Sequence, residues 1–365
     1  MKLFEHFKKG NLSLINRVAM APMTRARNKN GIYNSKNAEY YAQRAGEKGA
    51  GLLITEGTVI SPSASGMVFV PGIYTPEMVE GAKLVTQAVH DRNSKIFVQT
   101  WHVGRVSHTS LQPDGKAPFG PSDIKAENSF AYCDTGNGET GFVEASRPRA
   151  LSTEEAKQVI KDFTQGAKNA IEAGFDGVEI HGANGYLIEQ FLNPKINNRT
   201  DEYGGSVAGR VKFLLDIVDA NIAAIGADQV AVRLSPFGTI QDIPKFEETE
   251  ETFKLIAEEL GKRKIAYIHF MDQIIKGESS ISRDFLKKFR SWYDGVLIYA
   301  GGLNKEKAEA LIEENLIDIA AFGQPFISNP DLTYRMKNNF PLTEPLRDFY
   351  YGGNEKGYTD YKPYQ

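Results

Sequence analysis

The chain has 365 residues, 41% hydrophobic and 24% charged, with a net charge of −3. This is a globular balance, and it offers no basic field to hold nucleic acid or an anionic membrane surface. A single cysteine, Cys133, excludes an internal disulfide and fits a reducing compartment, so a cytoplasmic protein is expected. No apolar run is long enough for a bilayer span, and the opening MKLFEHFKKG lacks a secretory leader pattern.

Short β-rich runs recur along the chain. They are NRVAMAPMT (16–24), GLLITEGT (51–58), KIFVQTWH (95–102), FDGVEIHG (175–182), QVAVRLSP (229–236), IAYIHFM (265–271), GVLIYAGG (295–302) and DIAAFGQP (318–325). Most are continuously apolar, the pattern of parallel strands covered on both faces. Helical patterns separate most of them: PEMVEGAKLVTQAVHDRN, STEEAKQVIKDFTQGAKNAIEAG, GRVKFLLDIVDANIAAIG, EETEETFKLIAEELGKR and NKEKAEALIEENL. In the second of these, Ser152 and Glu155 have capping-box spacing. Val159, Ile160, Phe163, Ala167, Ala170 and Ile171 share a face, and Gly174 stands where the helix should end.

Strand–helix alternation of this length predicts an α/β fold, a closed (β/α)8 TIM barrel in one domain over 1–365. The rival doubly wound sheet usually opens with G-x-G-x-x-G after its first strand; here MAPMTRARNKNG follows instead. Residues 104–150 break the rhythm after strand three. Gly, Pro, Asp and Asn crowd this segment, which predicts an excursion, a lid or hairpin over the barrel mouth. The tail at 345–365 is aromatic and rich in glycine; its rings predict that it packs on something.

Alternation along strands assigns directions. Val178 and Ile180 should meet the helices, so Glu179 and His181 should point into the barrel, His181 nearest the C-terminal rim. Ala231 and Arg233 likewise face inward, and Phe97, Gln99 and Trp101 share a face. An inward Arg233 needs an anionic or strongly polar partner, because unpaired buried charge is not tolerated. Glu179 and a ligand that becomes negative both meet that need.

The rim collects Thr24, Gly57, Gln99, His102, His181, Asn184, Tyr186 and Arg233. Gly301 and Gly302 follow strand seven; Gly323 and Gln324 follow strand eight. In many barrels those two loops hold a phosphate on backbone N–H groups, and a helix starting near Asn304 would add its positive end. HGANGY (181–186) places an imidazole, a carboxamide and a phenol in one turn. That combination suits gripping an oxygen and delivering a proton.

In order, APMTR (21–25), QTWHVGR (99–105), HGANGYLIEQFLNP (181–194), NNRTDEYGGS (197–206), RLSPFG (233–238), AGG (300–302), FGQPFISNPDL (322–332) and FYYGGNEKGYTDY (349–361) resemble the old yellow enzyme family. The resemblance covers nearly the whole chain. It implies a (β/α)8 barrel holding FMN and reducing activated carbon–carbon double bonds, as in α,β-unsaturated carbonyl compounds, with NADPH or NADH. Nitro compounds, maleimides and quinones are implied as further acceptors. Pro22, Met23 and Thr24 would then lie against the flavin, Gly57 would allow a close backbone approach, and Gln99 would read the pyrimidine edge. Arg233 would face N1 and O2, where negative charge gathers on reduction. Gly301, Gly302, Gly323 and Gln324 would hold the phosphate end. His181 and Asn184 would grip the substrate oxygen while the β carbon takes a hydride from flavin N5, and Tyr186 would protonate the α carbon. Thr24, Trp101 and Tyr351 would line the substrate cavity, and Glu179 is read as structural.

The sequence departs from the family at Gln324, where relatives typically carry an Arg that pairs with the phosphate. Gln supplies neither charge nor fork, so weaker FMN retention is expected. Met67 stands where several relatives have an aromatic, and Ala208-Gly209 replaces a polar-Asn pair. No H-E-x-x-H or C-x-x-C spacing occurs, so no metal is expected. His102 is read as a rim packing or loop-anchoring residue. Two rival readings stand beside the reductase: a non-flavin barrel enzyme using Glu179, His181 and Tyr186 as acid–base groups, and a flavin-binding protein with little turnover. Oligomeric state has no signature in the sequence.

Overall fold

In the computed structural model, which describes residues 1–136 and 138–364, the apolar runs form parallel strands closed into a barrel. The barrel strands are β1 (Val18–Met20), β2 (Leu52–Val59), β3 (Lys95–Trp101), β4 (Gly177–Gly182), β5 (Val230–Leu234), β6 (Tyr267–Met271), β7 (Leu297–Ala300) and β8 (Ile319–Phe322). Each pairs with its sequence neighbours, and β8 closes on β1 through Ala320–Val18, Ala321–Ala19 and Phe322–Met20. Asn137, in the excursion, and Gln365, the last residue of the tail, lie outside the described residues.

β1 is much shorter than its apolar run. Ala21 N still donates to Phe322 O at 3.0 Å, but Pro22 has no N–H to continue the ladder. The predicted alternation holds. Val178, Ile180, Val230, Val232 and Leu234 join the core between barrel and helices; Phe97, Ala231, Tyr267 and Ile298 fill the barrel itself.

The helix Thr153–Glu172 begins at the predicted box: Ser152 Oγ accepts from Glu155 N at 3.1 Å, and Glu155 Oε2 accepts from Ser152 N at 2.8 Å. Its buried face is narrower than predicted. Ile160 and Ile171 are half-buried, because the helix makes its close approach at Gly166, where a Cβ would lie 3.2 Å from Ile60. Three further elements carried no announced pattern: the helices Ser35–Arg44 and Arg283–Trp292, and an N-terminal hairpin, Phe7–Lys9 with Leu12–Leu14. That hairpin sets Phe7, Leu12 and Leu14 in one cluster with Ala19, Leu52, Ile54 and Phe97 and so floors the barrel.

The excursion carries an antiparallel hairpin, Phe130–Gly136 with Glu139–Glu144. Backbone bonds between Tyr132 and Gly66 (3.1 Å) and Val68 (2.8 Å) tie it to the loop after β2, beside Met67. The tail is fastened by cations. Arg25 donates to Tyr350 O (3.0 Å) and Gly357 O (2.7 Å), Arg27 to Asn354 O (3.1 Å), and Arg44 to Tyr358 O (3.1 Å). The fully buried Tyr358 ring stacks on Tyr40 with centroids 4.1 Å apart. Hairpin and tail therefore meet, with the Tyr351 ring 5.8 Å from Tyr132 and 5.9 Å from Phe142. Among the described residues no helix is long and apolar enough to cross a membrane.

Candidate active site

A cavity of about 440 Å³ opens at the C-terminal rim, lined by Pro22, Arg233, Gly301, Gly302, Gly323 and Gln324 together with Met271 and Asp272. Of the glycines after β7, Gly301 is required by its backbone, and Gly302 also takes a left-handed conformation. Gly301 has φ 126°, and a Cβ there would sit 2.3 Å from Asp272 O; Gly302 has φ 58°, with a Cβ 2.8 Å from Ile274. After β8, Gly323 precedes the short helix Gln324–Ser328. Gln324 is exposed, and its Nε2 donates to Tyr350 Oη at 3.0 Å, so its amide is engaged by the tail.

Arg233 is buried and borders this cavity, yet its Nε has no hydrogen-bond partner. Glu179 does not fill the role. One of its oxygens accepts from Gln99 Nε2 at 2.8 Å, and the other bonds His269 Nδ1 at 2.8 Å. Burial would raise the Glu179 carboxyl, but His269, Arg233 and Gln99 outweigh it and hold the group below the usual carboxylate range. Burial depresses His269, so it stays neutral and donates to an ionised Glu179. Burial also lowers Arg233, opposed by the Glu179 charge, and a guanidinium so placed remains cationic. The Glu179 contact also fixes Gln99 with its carbonyl oxygen free to accept. These residues fit FMN: an orphaned buried donor beside a glycine cradle suits a planar ring that turns anionic and carries a phosphate at its far end.

Next to Arg233 in strand register stands His181. Its Nδ1 accepts from Ala183 N at 3.3 Å, which puts the ring proton on Nε2 as a donor. Burial, then the charge of Arg233, holds His181 well below its ordinary value, so it is neutral. Asn184 adopts φ 57°; its backbone N donates to Ser235 Oγ at 2.8 Å, and its Oδ1 has no partner. Tyr186 packs edge-on against His181 (5.1 Å) and Trp101 (5.1 Å). Burial, helped by Tyr351, pushes its phenol up to about 12, so the proton is retained at neutral pH.

Trp101 is only 2% exposed and stacks on His181, with its indole N–H unpartnered. A Cβ at Gly57 would lie 2.6 Å from this ring, so Trp101 packs directly against the Gly57 backbone. Met23 packs beside Gly323, and Thr24 is half-buried in the same loop. Tyr351 is 39% exposed at the junction of hairpin and tail. His102 anchors its loop: Nδ1 accepts from Gly104 N at 3.0 Å, and burial drives it down to about 3. Sequence reasoning assigned no role to Glu189, Gln190 or Ser235, which lie directly behind the HGANGY turn. One signal was available: LIEQFL sets an acid inside an apolar helix, and all its residues are buried.

A barrel mouth with a buried, unpartnered guanidinium beside a glycine-lined cavity fits the class of flavin-dependent oxidoreductases. Residues 2–343 match the NADH:flavin oxidoreductase / NADH oxidase family, and the chain belongs to that family, the old yellow enzymes. The 12-oxophytodienoate reductase 1 of Oryza sativa subsp. japonica is 40% identical, over 98% of this chain and 92% of its own. A chanoclavine-I aldehyde reductase of Penicillium roqueforti (strain FM164) is 40% identical, over 99% and 96%. Morphinone reductase superposes with a TM-score of 0.96 at 42% identity, covering 99% of this chain and 96% of its own. Its complex with tetrahydroNAD gives 0.95 at 42%, covering 100% and 98%. The chain is thus an FMN-dependent NAD(P)H oxidoreductase that reduces activated carbon–carbon double bonds.

Proposed function

We propose that this enzyme is a cytoplasmic reductase of small α,β-unsaturated carbonyl compounds, working as one FMN-binding unit over the whole chain. Pro22, Met23, Thr24, Gly57, Gln99 and Arg233 would hold the ring of FMN, and Gly301, Gly302, Gly323 and Gln324 its phosphate. When bound, it supplies the hydride that the β carbon receives. The chain's own groups do the rest. The Nε2–H of His181 and the amide of Asn184 donate to the carbonyl oxygen, which draws electron density from the double bond. Tyr186 holds a proton and delivers it from Oη to the α carbon; general-acid help of this kind is worth roughly 10²–10⁴ in rate. Arg233 compensates the negative charge that reduction leaves beside it. Trp101 backs His181 and Tyr186, and with Thr24 and Tyr351 it bounds the acceptor space. The nicotinamide takes the same space by turns.

The observation that carries this reading is the unpartnered Nε of buried Arg233, in register with a neutral His181. The test is anaerobic reduction of the FMN-loaded enzyme by NADPH or NADH, then mixing with 2-cyclohexenone. Flavin absorbance should return with enone as the only oxidant. A reduced enzyme that reoxidises only when oxygen is admitted would sink the proposal.

A further inference from the structure

We propose that Glu189 is a positioning residue for enone reduction: from behind the HGANGY turn it fixes the backbone that presents Asn184 and Tyr186 to the acceptor. The proposal rests on the roles given above to those two residues. Glu189 Oε2 accepts from Gly185 N at 2.6 Å, and Oε1 accepts from Ser235 Oγ at 2.8 Å. Ser235 Oγ in turn accepts from Asn184 N at 2.8 Å. One carboxylate therefore holds two consecutive amides of the turn, one directly and one through a hydroxyl. The neighbouring Gln190 takes the other side of Gly185, its Nε2 donating to Gly185 O at 2.7 Å and to Val103 O at 3.0 Å.

The turn needs such a grip. Asn184 at φ 57° and Gly185 at φ 77° are consecutive left-handed residues, a conformation Asn and Gly adopt readily, and the reversal they make leaves their amides to be held from behind. The loop after β5 presses from the other side: a Cβ on Gly185 would lie 2.5 Å from Ile240 O. A carboxyl is an expensive choice for this place. Burial pushes Glu189 up to about 7 even though Gly185 and Ser235 both donate to it. Glutamine would fill the same space without that cost, but it has one acceptor oxygen, and two donors converge here.

Enone affinity can be read without turnover, from the change that 2-cyclohexenone makes in the flavin absorption band of the oxidised FMN-loaded enzyme. Glu189→Gln should weaken binding by about tenfold or more at unchanged FMN content. Asn184→Ala sets the reference loss. If Glu189 acts through the turn, the double variant binds within about twofold of Asn184→Ala, because residues in one network are not additive. Multiplied losses in the double variant overturn the proposal, as does a Glu189→Gln affinity within about twofold of wild type. Should Glu189→Gln fail to fold, Ser235→Ala, which cuts the link to Asn184 and leaves the carboxyl in place, is judged by the same criteria. An Asn184→Ala enzyme that binds enone normally defeats the role given to Asn184 and this proposal with it. A normal Glu189→Gln beside a weakened Asn184→Ala defeats this proposal alone.

Discussion

The floor and the mouth of this barrel are opposite ends of the same strands and obey opposite rules. At the floor, Phe7, Leu12 and Leu14 of the N-terminal hairpin close over Ala19, Leu52, Ile54 and Phe97 in one apolar cluster. At the mouth, Arg233, Asn184 and Trp101 each keep a buried polar atom without a partner. A fold leaves such atoms unpaired only at a cost. Unpartnered atoms occur elsewhere too, on Arg17 and Tyr267, but at the mouth Arg233 borders an open cavity, so that end is shaped for something that is not chain. Packing at the floor should therefore govern stability without touching the chemistry, which belongs to the reacting groups of the mouth.

The largest separation is expected from Tyr186→Phe. Removing one hydroxyl should slow reoxidation by enone by about 10²–10⁴, read by stopped flow, with FMN content and flavin reduction nearly unchanged. Leu14→Ala is the reverse experiment. It should cost about 2–5 kcal/mol in denaturant unfolding, while turnover per bound flavin stays at the wild-type value. Loss of turnover in the folded variant would break the division between floor and mouth.

The mouth also carries its own stability signature. Burial raises the Glu189 carboxyl from its ordinary 4.5 to about 7. A group whose folded value is raised contributes stability in full below its unfolded value and loses it as pH climbs through the folded one. Stability should therefore fall by up to about 3 kcal/mol between pH 4.5 and pH 7. In Glu189→Gln that component of the slope should vanish; an identical slope in variant and wild type would assign it elsewhere. The smallest effect is at the phosphate end. Gln324→Arg should tighten FMN by about tenfold, measured as the dissociation constant, because a cation and fork replace an amide now spent on Tyr350. Equal affinity would show that the backbone donors after β7 and β8 suffice.

How far the sequence carried depended on the range of the interaction. The barrel strands were legible because burial on both faces demands mostly apolar runs, as in β7 and β8, and alternation gave directions in β4, where Val178 and Ile180 face the helices while Glu179 and His181 face inward. The box at Ser152 and Glu155 was legible because caps are local. The HGANGY turn drew notice by its residue types, and family resemblance proposed roles for its residues. The hairpin at Phe7–Leu14 was missed, since a short strand pair has little signal apart from the barrel it closes.

By itself, then, the sequence determined the barrel, the inward set of Glu179, His181 and Arg233, and the company of His181, Asn184 and Tyr186, all by periodicity or adjacency along the chain. Only the tertiary structure decided that Glu179 belongs to Gln99 and His269, leaving Arg233 unspent, and that Trp101 packs against Gly57. It also brought Glu189 and Ser235 behind Asn184, and carried the tail across to Arg25, Arg27 and Arg44. Those contacts join residues far apart in the chain. Which of several possible partners a buried charge finds is settled by packing, and no local pattern encodes it.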